Sequence, residues 1–96
     1  MNEHDEVERG RRAQELLDNP VLQQALTAIE TEIFGMWREC KLHDAQGQEA
    51  LLQLLKTTDK FKAILHGYIN TGELAKDNLL RFDGRPRTLI ERLRAA

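Results

Sequence analysis

Cys40 and His43 have side chains that can bind metal ions or act in nucleophilic catalysis, and their C-x-x-H spacing puts them close together. A structural zinc site needs four ligands, usually cysteine and histidine. Cys40 is the only cysteine, and His4 and His66 lie in distant segments. A Cys–His nucleophile would also need an orienting group and an oxyanion site, and the pattern suggests neither. We therefore predict no metal, no cofactor and no catalytic residue, and we interpret Cys40 as a packed side chain at a helix end.

Carboxylate pairs are the other candidates for acid–base chemistry. Glu30 and Glu32 are two residues apart, and helical side chains at that spacing point in different directions. The acidic residues Asp5, Glu6 and Glu8 are interleaved with a charged segment that is typical of a solvated face. The glycines form no phosphate-binding loop. These patterns predict a protein that is not an enzyme.

Arginine is concentrated in residues 9–12 and 81–94. Residues 1–18 carry a net charge of −3, residues 81–96 carry +3, and the whole chain carries −2. This balance disfavours bulk binding of nucleic acid, although the C-terminal arginines could hold phosphates. That tail could instead pair with the acidic start of another subunit, or both ends could simply be solvated. Nucleic acid is therefore the less favoured partner.

The composition is typical of a single small helical domain spanning residues 1–96. Hydrophobic residues make up 41% of the chain and charged residues 31%, which argues against both disorder and a membrane protein. The apolar runs are far shorter than the roughly 18 residues that a bilayer requires. The acidic first residues are unlike a secretory signal, so we expect a cytoplasmic protein and no membrane partner.

Apolar residues recur at helical spacing along most of the chain, whereas strand signals are nearly absent. The predicted helices are a charged one over 5–17, two long ones over 20–41 and 45–70, and a short one over 73–80. Asn19-Pro20 and Asp44 are predicted to cap the starts of the long helices, and Thr71-Gly72 is predicted to end the second of them. The short connection predicts an all-α fold built on a long antiparallel helical hairpin.

The first long helix carries an apolar row with the spacing of a coiled coil. The row consists of Leu22, Leu26, Ile29, Ile33, Met36 and Cys40. Phe34 and Trp37 widen this stripe, and the helix over 45–70 carries a second apolar stripe. Two helices alone cannot cover two stripes of such width. We therefore predict a homo-oligomer, a dimer in the first place. Phe34 and Trp37 are candidate protein-contact residues, with plain core packing as the alternative.

The segment 81–96 is predicted to dock on a neighbouring molecule. Thr88 and Glu91 match a capping box that opens a helix of about two turns, and a helix so short is marginal by itself in water. Its candidate contact residues are Arg85, Arg87, Leu89, Ile90, Arg92 and Leu93.

Four stretches together form a pattern that resembles a known group of proteins. They are RAQELLDNP at 12–20, ALTAIE at 25–30, EALLQLLK at 49–56 and TGELA at 71–75. The pattern covers residues 9–76 and resembles small uncharacterised helical proteins encoded in the late, virion-morphogenesis regions of tailed bacteriophages and prophages. The resemblance implies a viral protein made for virion assembly, found in the cytoplasm of the bacterial host or in the virion. It carries over no catalytic or binding residue.

Two functions from different classes remain open. The first is a structural, scaffold-like or adaptor component that contacts itself and other phage or host proteins through its helices. The alternative is a DNA-binding packaging or regulatory factor, similar to a small terminase subunit. Only the alternative predicts an affinity for duplex DNA that falls steeply with salt.

Overall fold

The computed structural model describes residues 1–84, and these residues form three helices and no strand. The helices are α1 (Glu3–Asp18), α2 (Pro20–Glu39) and α3 (Ala45–Gly84). The prediction of an all-α protein is therefore confirmed at this level. The predicted capping box and six predicted contact residues lie outside the described residues, namely Arg85, Arg87, Leu89, Ile90, Arg92 and Leu93.

The starts of α2 and α3 are fixed by side-chain caps, as predicted. Oδ1 of Asn19 accepts hydrogen bonds from the N–H groups of Val21 and Leu22, at 2.8 and 3.3 Å. Oδ1 of Asp44 accepts a hydrogen bond from the N–H of Gly47 at 2.9 Å. These carboxamide and carboxylate oxygens satisfy N–H groups that have no partner inside their own helix.

Gln48 ties the connection 40–44 to the first turn of α3. Its side-chain amide donates to the carbonyl oxygens of Lys41 and Leu42, at 3.1 and 3.2 Å. Two backbone acceptors of the connection thereby gain partners, which holds the short turn between α2 and α3 in one conformation.

Contacts group the described residues into two compact units. One contains residues 1–14 and 66–84, and the other contains residues 15–65. The second unit holds α2 and the first half of α3. Its buried row on α3 consists of Leu51, Thr58 and Leu65, spaced by seven residues. The buried hydroxyl of Thr58 donates to the carbonyl oxygen of Leu54 at 3.0 Å, so it is not left unsatisfied.

In the first unit, α1 and α3 come into backbone contact at two glycines. A Cβ atom added to Gly10 would lie 2.8 Å from the carbonyl oxygen of Tyr68, and one added to Gly72 would lie 2.9 Å from that of Glu6. Gly10 and Gly72 are both buried, and the contact leaves no room for a side chain at either position.

The predicted helix end at Thr71-Gly72 is wrong. α3 continues through both residues as far as Gly84. The residues of the predicted short helix over 73–80 are therefore part of α3. No glycine among residues 1–84 has a positive φ, so the structure uses the small size of Gly72 and not its conformational freedom.

The close approach at Gly10 and Gly72 predicts that alanine at either position destabilises the protein, which is the opposite of its effect in an open helix. In an open helical position, Gly→Ala raises the free energy of unfolding by up to about 1 kcal/mol. We expect Gly10→Ala and Gly72→Ala instead to lower it by about 1–3 kcal/mol, because the added methyl group overpacks the contact. Urea unfolding followed by circular dichroism measures the change.

Matched controls are available at Gly35 and Gly67. Both lie inside helices, and a Cβ atom at either position would meet nothing within 4 Å. Gly35→Ala and Gly67→Ala should therefore stabilise the protein. Equal stabilisation by all four substitutions would show that α1 and α3 do not meet at Gly10 and Gly72.

Candidate protein-interaction surface

Exposure identifies the side of α2 that contacts α3. Ile33 is only 2% exposed, whereas Ile29 and Met36 from the same predicted row are 43% and 45% exposed. On the other side of Ile33, Glu30 is half-buried and pairs with Lys62 of α3. The predicted row is therefore correct at Ile33, but Ile29 and Met36 lie on an exposed edge and a charged residue takes part in the contact.

The Glu30–Lys62 pair also shows which edges of the two helices face the same way. Each residue along a helix is rotated by about 100° from the one before it. Ile29 and Met36 thus lie on the edge of α2 opposite to Glu30. The ion pair marks one flank of the α2–α3 pair, and these two apolar residues lie on the other flank.

The rotation of about 100° per residue also identifies the edges of α3. Leu54 and Phe61 are half-exposed and lie on the edge of α3 opposite to Lys62. They therefore share a flank with the exposed apolar residues of α2. We define the apolar flank as Ile29, Met36, Leu54 and Phe61.

The predicted contact residues Phe34 and Trp37 lie on the other side. They follow Glu30 by four and seven residues, so they share its face of α2. Phe34 is 51% exposed and Trp37 is 37% exposed. Neither side chain belongs to a closed core within the described residues. We call this side, with Glu30 and Lys62, the ion-pair flank.

The arginines of α1 have partners inside the chain. The guanidinium carbon of Arg9 lies 4.1 Å from the ring centroid of Tyr68, within range of a cation–π interaction. Arg11 and Arg12 both contact Glu8, at 2.5 and 3.0 Å. Their hydrogen bonds, first from Arg11 and then from Arg12, lower the pKa of Glu8 to about 2. This basic cluster is therefore engaged with side chains of its own unit.

Cys40 is a partly buried thiol at the end of α2. Its Sγ atom lies 3.7 Å from Oδ2 of Asp44. Partial burial raises the pKa of Cys40, and the charge and hydrogen bond of Asp44 raise it further. A raised pKa keeps the thiol protonated and weakens it as a nucleophile. Across residues 1–84, no three histidine, cysteine or acidic side chains are arranged to hold a metal ion.

The apolar flank was missed from the sequence because the predicted row combined seam and edge. Around the axis of α2, the predicted row is centred between the directions of Leu26 and Met36. The observed contact with α3 extends further round the helix and includes Glu30. A charged residue enters a helix contact when a partner of opposite charge lies across from it. The sequence therefore does not identify Glu30 as a contact residue until Lys62 is known to lie opposite it.

Comparison of the chain with protein-family models, with curated protein sequences and with solved structures gives no match. None of the helices described over residues 1–84 is long and apolar enough to cross a membrane.

Asp44 is predicted to control the reactivity of Cys40. We expect Asp44→Asn to lower the pKa of the thiol, because it removes a negative charge beside the thiolate while an amide oxygen can still cap α3. The rate of alkylation by iodoacetamide as a function of pH should then have its midpoint at lower pH. Asp59→Asn, on the exposed surface of α3, is the control and should leave the profile in place. An unchanged profile in Asp44→Asn would contradict the observed contact.

Ile33 and Ile29 are predicted to respond differently to the same substitution. Ile33→Asp should lower the free energy of unfolding by several kcal/mol, because it buries an unpaired charge. Ile29→Asp should lower it less than half as much, because that side chain already reaches solvent. Urea unfolding at low protein concentration makes the comparison. A loss at Ile29 as large as that at Ile33 would show that both residues lie in the seam, as the sequence alone predicted.

Proposed function

We propose that this chain is a non-enzymatic structural, scaffold-like or adaptor protein of a tailed bacteriophage or prophage, and that it acts through helix–helix contacts with other protein chains. One observation carries the proposal. Large apolar side chains are half-exposed on both flanks of the α2–α3 pair, within residues 15–65. Such surface gains roughly 25 cal/mol for each Å² removed from water, so it favours association. The bacteriophage setting is supported by the resemblance of residues 9–76.

The association element is the antiparallel hairpin formed by α2 and residues 45–65 of α3. The Glu30–Lys62 ion pair and the tied connection 40–44 support this arrangement. A rigid pair of helices presents its side chains without a large loss of conformational freedom on binding. In this proposal the hairpin forms a homodimer, a coiled-coil-like helix bundle, in the cytoplasm of the host during virion assembly.

Phe34 and Trp37 are the proposed contact residues for other phage or host proteins. Aromatic residues are enriched in the centres of protein interfaces and supply much of their binding energy. Their exposure and their position together on the ion-pair flank support this role. The docking role of the tail beyond residue 84 stays a prediction.

A DNA-binding packaging or regulatory factor is the competing function. Binding of DNA depends on cations that are free to meet phosphates. The partners of Arg9, Arg11 and Arg12 inside their own unit weigh against it, since phosphate binding would have to displace them. These contacts support the protein-binding function.

Two measurements on the full chain test the proposal together. Light scattering over a range of micromolar concentrations should give a mass above the 11.1 kDa of one chain. Titration with duplex DNA at about 50 and 200 mM salt should show weak binding with little salt dependence. A chain that stays monomeric, or an affinity for DNA that falls by orders of magnitude with salt, would favour the DNA-binding function.

A further inference from the structure

We propose that the apolar flank binds the tail, residues 85–96, of another copy of this chain. The tail lies outside the described residues, so its sequence and its length carry the assignment, together with the surface that α2 and α3 present. The inference rests on the proposed function, in which copies of the chain associate through helices. It adds the receiving surface and names the segment that occupies it.

The apolar flank is a short strip of half-exposed side chains. Ile29 and Met36 of α2 and Leu54 and Phe61 of α3 are each between 43% and 51% exposed. Each helix contributes two residues that lie two turns apart, so the strip is about 10 Å long. A helix of about two turns has this length, and the tail is predicted to form such a helix.

The charged side chains on this flank are acidic. Glu32 lies between Ile29 and Met36 along α2, and Glu39 lies about one turn beyond Met36. Both glutamates are exposed, and no ion pair joins either of them to another residue within 1–84. An occupant of the strip therefore meets apolar side chains and two carboxylates together.

The lysines of α3 do not balance these carboxylates. At about 100° per residue, Lys56 and Lys60 lie on the face of α3 turned away from Leu54 and Phe61, and Lys62 lies on the ion-pair flank. Two apolar flanks packed against each other would bring four glutamates together with no lysine between them. The flank is therefore complementary to an apolar segment that is basic, and not to itself.

The tail has this chemistry. Residues 85–96 contain four arginines and one glutamate, which gives a charge of +3. At helical spacing, one side of the tail carries Leu89, Ile90 and Leu93. Arg92 and Arg94 border that side, so apolar contact and pairing with carboxylates can occur in one docked helix.

The length of the tail selects a second copy as its source. Even with the chain fully extended, Leu89 is at most about 18 Å from Gly84, and Leu93 is at most about 32 Å from it. Along α3, Phe61 and Leu54 are about 35 and 45 Å from Gly84. The apolar side of the tail therefore cannot lie on the flank of its own chain, whereas the tail of another copy is not bound by this limit.

Charge reversal on the full chain tests the pairing of tail and flank. We expect Glu32→Arg with Glu39→Arg to raise the dissociation constant of self-association about tenfold, because an arginine-rich tail then meets a basic flank. Arg92→Glu with Arg94→Glu should do the same. An equal mixture of the two variants should recover the parental constant, since each flank then meets a tail of opposite charge. Sedimentation equilibrium measures each constant.

A matched control reverses two charges on the other face of α3. Lys56→Glu with Lys60→Glu should leave the dissociation constant within about twofold, because neither lysine lies on the flank. Loss of association in this control, or loss in the flank variant with none in the tail variant, would contradict the pairing. Recovery in a chain that carries the flank and tail changes together, without recovery in the mixture, would show that the tail binds its own chain and would overturn the inference.

Apolar substitutions test the same contact without changing charge. Phe61→Ser and Leu93→Ser should each weaken association about tenfold, and the two together should weaken it little more than either alone, since both remove one contact. Phe34→Ser, on the ion-pair flank, should stay within about twofold of the parent. Circular dichroism checks that each variant keeps its helices. Leu93 lies outside α1, α2 and α3, so its variant gives a result even where Phe61→Ser unfolds the chain.

The outcomes separate this inference from the proposed function. A parent chain that associates and is unaffected by the tail variants overturns the inference and leaves a self-associating protein. Full additivity of Phe61→Ser and Leu93→Ser also overturns it, because the two residues would then act at separate contacts. A parent chain that is monomeric at every concentration overturns both.

Discussion

The contact of two backbones at Gly10 and Gly72 is the constraint on which the first unit depends. The glycines let α1 and α3 approach so closely that a Cβ atom at either position would collide with a carbonyl oxygen of the other helix. Ala13 and Ala75, each three residues further along its helix, are also small and buried. Arg9 can then stack on Tyr68 from the adjacent helix, because the short distance brings a long side chain over the ring. The helical course of α3 through Gly72 follows from the same contact, since packing on α1 offsets the low helix propensity of glycine.

The second unit depends on a different kind of contact, in which an ion pair takes a place among apolar side chains. Glu30 and Lys62 neutralise each other at the edge of the row formed by Ile33, Leu51 and Leu65. The hydrogen bond from Lys62 to Glu30 raises the pKa of Lys62 and keeps the ammonium charged. The pair lies on one flank, whereas the half-exposed side chains of Ile29, Met36, Leu54 and Phe61 lie on the other.

The number of helices up to residue 70 and their starting points could be predicted from local chemistry. Asn19-Pro20 and Asp44 act within a turn of their own position, so the sequence nearby is sufficient to identify them. Gly72 could not be interpreted in this way, because a glycine that ends a helix and a glycine that touches another helix are identical in sequence. The orientation of α2 was missed for a related reason. Apolar spacing locates a stripe to within a residue or so, whereas the side that is buried depends on the partner opposite Glu30. The apolar flank followed only once that orientation was known.

The separation along the chain between contacting residues has a consequence for the order of folding. Glu30 and Lys62 are 32 positions apart, whereas the glycine contact joins residues almost twice as distant along the chain. Each doubling of a loop costs only about 0.6 kcal/mol of closure entropy, so distance alone does not decide the order. Only Asn19 separates α1 from α2, however, so once α2 and α3 have paired, the length of chain that still has to be closed to bring Gly10 to Gly72 is shorter. We therefore expect α2 and α3 to pair in the folding transition state and α1 to join later. Substitutions at Ile33 would then slow folding, and those at Gly10 would mainly speed unfolding.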